Sequence, residues 1–367
     1  MMDMRTTFAS KDSPLGDVVM RALMEPKGTW IEKFRAPAFR MLEAAVEEER
    51  QLRALAPLQD KAQVVIDREV VNVGLQRLTV AADIIAAGLT YPLSDPLSVT
   101  QLEWSSMNKI GAAQRTMSPS ARGESKLPIV LPNRLPIYLT TDQFQIDIRT
   151  LKMSQRVGTP LDTTIVGMCT RAVNEAVEDA TINGATTIDG QNLVVAGYSA
   201  PGLLNAPNAM AQSATAAAWT TTPVGSTVFN EVESAITKLQ TNKKFGPYRL
   251  YVGTQIGNAF DSDYNATNNA QGLTIRQRLL QIPTLQDIKV ADMMPAGNGA
   301  TPPIGAKAVL VQMTRDVVDM VVGQYPTVIP WTSLDGFTIN NLVMAIMIPR
   351  VRSDYNGQSG VCVITTA

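Results

Sequence analysis

The stretch NEAVEDATINGATTIDG, Asn174 to Gly190, sets Glu175, Glu178 and Asp179 close together on a segment with helical spacing, then runs into a glycine-punctuated turn. Clustered carboxylates serve as general acids and bases when their pKa values are pushed apart, or as ligands for a hard cation. Either use needs a partner: a histidine, a metal ligand set or a phosphate loop. None of the 367 residues is histidine, which excludes Ser-His-Asp and Cys-His nucleophiles, histidine-based zinc sites and the usual base poised near neutral pH. The two cysteines, Cys169 and Cys362, are far apart and form no CxxC pair, so neither a zinc cluster nor a disulfide framework is expected.

Other motifs fail on spacing. Asp261 to Gly272, DSDYNATNNAQG, starts like a calcium loop with Asp261, Asp263 and Asn265, but Ala266 stands where glycine is needed and Gly272 where the bidentate glutamate belongs. GNGATPP at Gly297 lacks the third glycine, the lysine and the following helix of a phosphate cradle. Both read as loops. No catalytic residue, cofactor or metal is therefore expected.

Composition points to contact with copies of itself rather than to chemistry. The net charge is −1, so there is no global basic balance of the kind that marks nucleic-acid-binding domains. Charged residues make up 18% against a typical share of about 25%, and charge depletion is what interface cores show. The N-terminal MMDMRTTFASKDSPLGD lacks the basic start and apolar run of a signal peptide, and no window approaches the roughly 18 apolar residues of a membrane span. A soluble chain made in the cytoplasm is the expectation.

The elements that position these residues follow from periodicity and turn chemistry. Residues 1 to about 29 are polar and broken by Pro14, Gly16, Pro26 and Gly28, as in an extended arm. A helix ending at Pro57 follows, whose Glu47, Glu48, Glu49 and Arg50 form either a solvated face or a partner-binding one. Val64 to Val80 reads as strand and AADIIAAGLTYPLSD as a short apolar element. Residues 98–140 read as a long hairpin turning at SPSARG, and from Ser105 to Lys126 it carries Lys109, Arg115, Arg122 and Lys126 against Glu124 alone. A hairpin with so little core needs another surface to rest on.

The opening carboxylates lie on a helix expected from Thr159 as N-cap, with Pro160 at N1, to Asn183-Gly184 as its stop. Ile165, Cys169, Ala172, Ala176 and Ala180 make one apolar stripe, flanked by Val166, Val173 and Val177. Arg171, Glu175 and Asp179 form a charged row on the other face. Downstream, AMAQSATAAAWTTTPVGS reads as a connection; STVFNEVESAITKLQT and IRQRLLQIP as helices; and YRLYVGT, AVLVQMT, VVDMVVGQ, PTVIPWT, FTINNLVMAIMIPRV and GVCVITTA as strands. The fold class is α+β.

In order, LPIYLTTDQFQIDIRTL, LDTTIVGMCTRAVNEAVEDATINGA, GYSAPGLLNAP, KKFGPYRLYVGTQIGNAF and FTINNLVMAIMIPRV resemble the tailed-phage major capsid and encapsulin superfamily, the Hong Kong ninety-seven fold. The resemblance spans about residues 60 to 367 and implies an architecture. Residues 1–60 would be the N-terminal arm and helix, 61–97 part of the peripheral domain, and 98–140 the extended loop lying across a neighbour. Residues 141–199 would be the peripheral domain with its spine helix, 200–340 the axial domain, and 341–367 the closing peripheral strands. It implies a shell of hexamers and pentamers around double-stranded DNA held without sequence-specific contact. A portal, a separate scaffolding protein and a cement protein would be the other partners, the virion the location, and no membrane is involved. The alternatives are an encapsulin shell around cargo enzymes and, outside the fold, a histidine-free enzyme. Glu178 and Asp179 then mark the end of the spine helix and, with Arg115, Arg122, Glu124 and Lys126, are the expected subunit contacts. Part of the family crosslinks a loop lysine to an asparagine, for which Lys109, Lys126 and Asn356 are the nearest match; a non-crosslinked shell is expected here.

Overall fold

The computed structural model describes residues 79–107, 117, 129–157, 164–187, 191–264, 272–298, 301–333 and 337–367. The expected arm and its helix, and nearly all of the Val64–Val80 segment, lie outside them.

The described chain opens with helix α1 (Val80–Ala86), which ends before Gly88 at φ 72°, and the short strand β1 (Thr90–Pro92). Strands β2 (Gln101–Met107) and β3 (Val130–Pro136) pair antiparallel as the arms of the expected hairpin. Strand β4 (Thr140–Asp147) leads into α2 (Ile148–Val157) and then α3 (Thr164–Asn183), the expected long helix; its proposed Thr159 cap lies outside the described residues. Next come the two-residue strands β5 (Val194–Val195) and β6 (Tyr198–Ser199), then β7 (Met210–Ala214), α4 (Ala216–Trp219), α5 (Gly225–Thr241), β8 (Tyr248–Val252), α6 (Thr254–Phe260), α7 (Ile275–Leu279) and β9 (Leu285–Val290). The chain closes with β10 (Lys307–Gln312), β11 (Val318–Thr332), β12 (Thr338–Val351) and β13 (Val361–Thr366).

Two sheets organise the molecule. The first has the order β1-β11-β12-β4 and the second β7-β13-β10-β8-β9. Both are mixed, with β1 parallel to β11, and β7 and β9 parallel to β13 and β8. In the second sheet alternation sorts side chains by face. Leu250, Val252, Ala308, Leu310, Cys362 and Ile364 meet the α4–α7 layer around Trp219, Val232 and Leu239, while Tyr251, Val309, Val311 and Val361 turn into the core shared with the first sheet.

Helix α3 covers the first sheet's inner face, packing Val166, Val173 and Val177 with Phe144, Val343 and Met347. The buried stripe is thus rotated from the expected one: the flanking valines lie at its centre, while Ile165 is 49% exposed and Ala172 and Ala176 face outward. Polar residues on the buried side disguised it. Thr170 and Thr181 bury their hydroxyls by donating to the Val166 and Val177 carbonyls, each at 2.8 Å.

The helix stop gives the GLLN motif its reason. Leu203 and Leu204 N–H donate to the Thr181 and Ile182 carbonyls, each at 2.9 Å, and Asn205 Nδ2 donates to the Asn183 carbonyl at 2.6 Å. The returning chain thus satisfies the orphan carbonyls of α3. Two glycines permit this approach: Gly184 has φ 93°, and a Cβ on Gly202 would stand 2.4 Å from the Gly184 nitrogen.

Three expectations need correction. The Ala/Thr-rich stretch is no mere connection: it supplies edge strand β7 and helix α4, whose Trp219 is fully buried 5.3 Å from Phe260. VVDMVVGQ and PTVIPWT are one strand, β11, irregular at Gln324 and Thr327. The division at 340/341 also does not follow the sheets: β11 belongs to the first sheet, with α3, and the final strand β13 belongs to the second. The chain crosses between the two sheets three times, after β4, after β10 and after β12, because each sheet takes strands from distant parts of the sequence.

Candidate functional site

The three opening carboxylates diverge. Glu175 points out to Arg171, with Arg171 Nε donating at 2.9 Å, and Asp179 accepts from Asn183 Nδ2 at 2.6 Å. Glu178 turns inward and is 2% exposed. It accepts Thr79 Oγ1 at 2.6 Å, Val80 N–H at 2.7 Å and Ala81 N–H at 3.1 Å. Its carboxylate closes the first turn of α1, where anionic acceptors are favoured. The oxygens of Glu178 are thus committed and sealed within its own chain. Among the described residues no group of His, Cys, Asp or Glu is arranged to hold a metal ion.

Opposite Glu178, α1 is tied to the second sheet. Asp83 meets Lys289 Nζ at 2.5 Å and Arg249 Nη1 at 3.4 Å, and accepts from Tyr251 Oη at 3.4 Å. A nearly buried carboxylate needs such cations. Burial and the Asp83 charge together push the Tyr251 pKa upward, so this phenol stays protonated.

Among the described residues the hairpin is anchored at its base, and further out Arg134 lies over the Tyr198 ring of β6. Leu102, Trp104 and Leu135 pack on Val321, Ile346 and Ile348 of the first sheet's outer face. Arg350 reinforces the seat: its guanidinium lies 4.6 Å from the Tyr91 ring and 5.6 Å from the Trp104 ring, while its Nε and Nη2 donate to Asp319 at 2.8 and 2.5 Å. Arg352 adds a donor to the same carboxylate at 2.7 Å. Further out, an Arg134–Glu103 pair at 2.6 Å spans the two arms. Beyond it Met107, Ile129, Val130 and Leu131 are all exposed, on both faces of a two-stranded ribbon. The expected contacts Arg115, Arg122, Glu124 and Lys126, and Lys109, lie outside the described residues; Asn356 is exposed in the turn between β12 and β13.

Sequence reading missed the Asp319–Arg350 pair and the Asp83 cluster. A signal was there: Asp319 interrupts the apolar run VVDMVV and Arg350 ends another, and lone charges in such runs imply partners.

The fold is that of phage capsid proteins. The capsid of Myoviridae phage XM1 is 13% identical with a TM-score of 0.55, the match covering 73% of this chain and 86% of that one. A virus-like particle from Pyrococcus furiosus is 14% identical with a TM-score of 0.55, covering 82% and 97%. A structure of Mycobacterium phage Bobi is 12% identical with a TM-score of 0.54, covering 77% and 90%. The chain belongs to the family of unknown function DUF6260, whose pattern matches residues 133–364. No curated protein matches it. Among the described residues no helix is long and apolar enough to cross a membrane.

Proposed function

We propose that this chain is the major capsid protein of a tailed bacteriophage, assembling into an icosahedral shell of hexamers and pentamers that encloses double-stranded DNA. The capsid fold supports it, and one observation carries it: among the described residues, the hairpin arms beyond the Arg134–Glu103 pair expose Met107 and Ile129–Leu131 on both faces. An isolated two-stranded ribbon is at best marginally stable in water, so this one is built to lie on another molecule. In a closed shell every copy offers that surface to the next. Residues 1–60 serve as the arm, α3 as the spine, the first sheet as the peripheral domain and the second as the axial domain. Arg115, Arg122 and Lys126 at the hairpin tip, with Glu124, meet a neighbour near its Asp179. A separate scaffolding protein directs assembly, a portal occupies one vertex, a cement protein binds the outside, DNA is held without sequence reading, and no reaction is catalysed.

Expressing the chain, alone and with a scaffold from its gene neighbourhood, then sizing and imaging the product by electron microscopy, tests this reading. Closed shells are expected; monomers or dimers alone at high concentration overturn it. A second reading, a cargo-holding shell, draws on the virus-like particle likeness, whose match covers 97% of that chain. The contents of native particles separate the two, genome-length DNA against a packaged enzyme.

A further inference from the structure

Three chain segments meet at one end of the first sheet and bring cations with them. Arg315 stands on the turn before β11, where Val317 and Val318 N–H both donate to the Thr314 carbonyl at 3.0 Å. Arg352 directly follows β12, and its own N–H donates to the Val317 carbonyl at 2.8 Å. Thr90 opens β1, and its carbonyl accepts from Arg315 Nη2 at 3.1 Å. With Arg350, three guanidinium groups gather here around one fully buried carboxylate, Asp319.

The charges do not balance. Arg350 donates to both Asp319 oxygens and Arg352 shares one of them, whereas Arg315 meets no carboxylate among the described residues. Asp316 and Asp354 are engaged with Lys244; counting these as well, four cations stand against three carboxylates. Arg352 carries the mismatch. Its Nε is shut off from solvent and donates to no acceptor among the described residues. A buried donor on a charged group is costly to leave unpaired, and a bound ion or water is what ordinarily satisfies one. Burial, then the charges of Arg350 and Arg315, hold the Arg352 pKa below the usual arginine value despite Asp319. Water would satisfy the donor alone, whereas an anion would satisfy the donor and offset the like charges together. The shape of the cluster selects among anions. A guanidinium fork suits carboxylates and phosphates alike, but a carboxylate has two oxygens in one plane, and Asp319 already supplies that. A phosphate directs its oxygens to the corners of a tetrahedron, so one can face Arg352 while another meets the exposed Arg315.

We propose that Arg315 and Arg352 form a binding site for a phosphate group, which joins the turn before β11 to the end of β12. The inference is independent of the shell reading; free phosphate and a DNA backbone present the same oxygens. Thermal melts of the full chain in phosphate and in chloride at equal ionic strength test it. A saturable rise in melting temperature is expected with phosphate, as for any ligand that binds the folded state alone. Arg315→Gln, at an exposed position, should weaken the apparent phosphate affinity by about 10-fold or more, the loss of one charge-assisted hydrogen bond, with an unchanged circular dichroism spectrum. Arg352→Lys, which keeps the charge but loses the fork, should weaken it at least as much. Labelled short duplex DNA that binds the wild-type chain, competes with phosphate and is lost with Arg315→Gln identifies the source as a nucleic-acid backbone. Duplex that leaves phosphate binding untouched identifies it as the free anion; both results support the site. No rise in the wild-type chain, or an equal rise in Arg315→Gln, overturns the proposal, as does a rise that never saturates, which is the general effect of an excluded salt. Acetate as effective as phosphate overturns the choice of anion and with it the proposal.

Discussion

Glu178 does from α3 what a serine or aspartate at the head of α1 ordinarily does locally. Thr79, at the cap position, makes no side-chain cap of its own and instead donates its hydroxyl to the glutamate. The three donors lie 97 to 99 residues away in sequence, so no local motif announces the contact. Glu178→Ala leaves two buried N–H groups unpaired and should cost about 2–3 kcal/mol, since donors stranded next to a removed charged acceptor lose their full desolvation. Glu178→Gln keeps one acceptor oxygen and should cost about half as much. Urea titration measures both, and amide exchange at Val80 and Ala81 should speed up before the rest of the fold loosens. Uniform loss without that local signature would place the effect elsewhere.

The hairpin and the sheet beneath it meet at Arg350, and the element scale is where that residue acts. Removing its charge strands Asp319, which is fully buried and left with Arg352 alone. Arg350→Met should therefore cost about 3–5 kcal/mol, the range for breaking a buried pair. Arg350→Met combined with Asp319→Leu should recover most of that loss, because the desolvation of both charges disappears together. Thermal melts of the single and double variants check this; a double variant no better than the single would assign the loss to the Tyr91 and Trp104 stacking instead. Trp104 fluorescence separates the effects further, since it reports whether the hairpin base leaves the sheet.

At the scale of the whole molecule, the last two crossings between sheets are fastened by one cation. Lys244, 5% exposed, meets Asp316 on the connection before β11 at 3.3 Å and Asp354 on the connection before β13 at 3.1 Å. Burial alone would raise the Asp316 pKa, but the Thr314 hydroxyl and Lys244 outweigh it and hold the carboxyl below its ordinary value of 3.8. A depressed folded pKa contributes stability above the unfolded value that is lost as pH falls through the folded one. Acid unfolding should therefore begin below about pH 4 and loosen the junction between sheets first. At the other limit, burial holds the Cys362 thiol up at about 11 against an ordinary 9.0. A raised folded pKa gives stability present below the unfolded value and lost as pH rises, so the alkaline decline should start near pH 9 and run to about 11. Melting temperature against pH should thus form a plateau between these limits. Asp316→Asn should soften the acid edge, and Cys362→Ser, which does not titrate there, should soften the start of the alkaline one, to which Cys169 and the buried tyrosines also contribute.

What the sequence by itself determined was what short-range physics writes down. The missing histidines removed histidine-based catalysis, the 3.6-residue spacing drew α3 and α5, and Asn183-Gly184 marked the end of α3. The valine-rich runs of the second half gave strands, and residues 98–140 a hairpin whose arms are β2 and β3. Only the tertiary structure decided which face of α3 is buried, since Thr170 and Thr181 satisfy their hydroxyls within the helix and so pass as apolar there. It alone showed that β11 and β13 exchange the sheets expected of them, and that Glu178 and Asp83 look inward. These facts depend on pairings between residues far apart in the chain, whose free energy exists only once both partners leave water together. No window of local sequence carries that information.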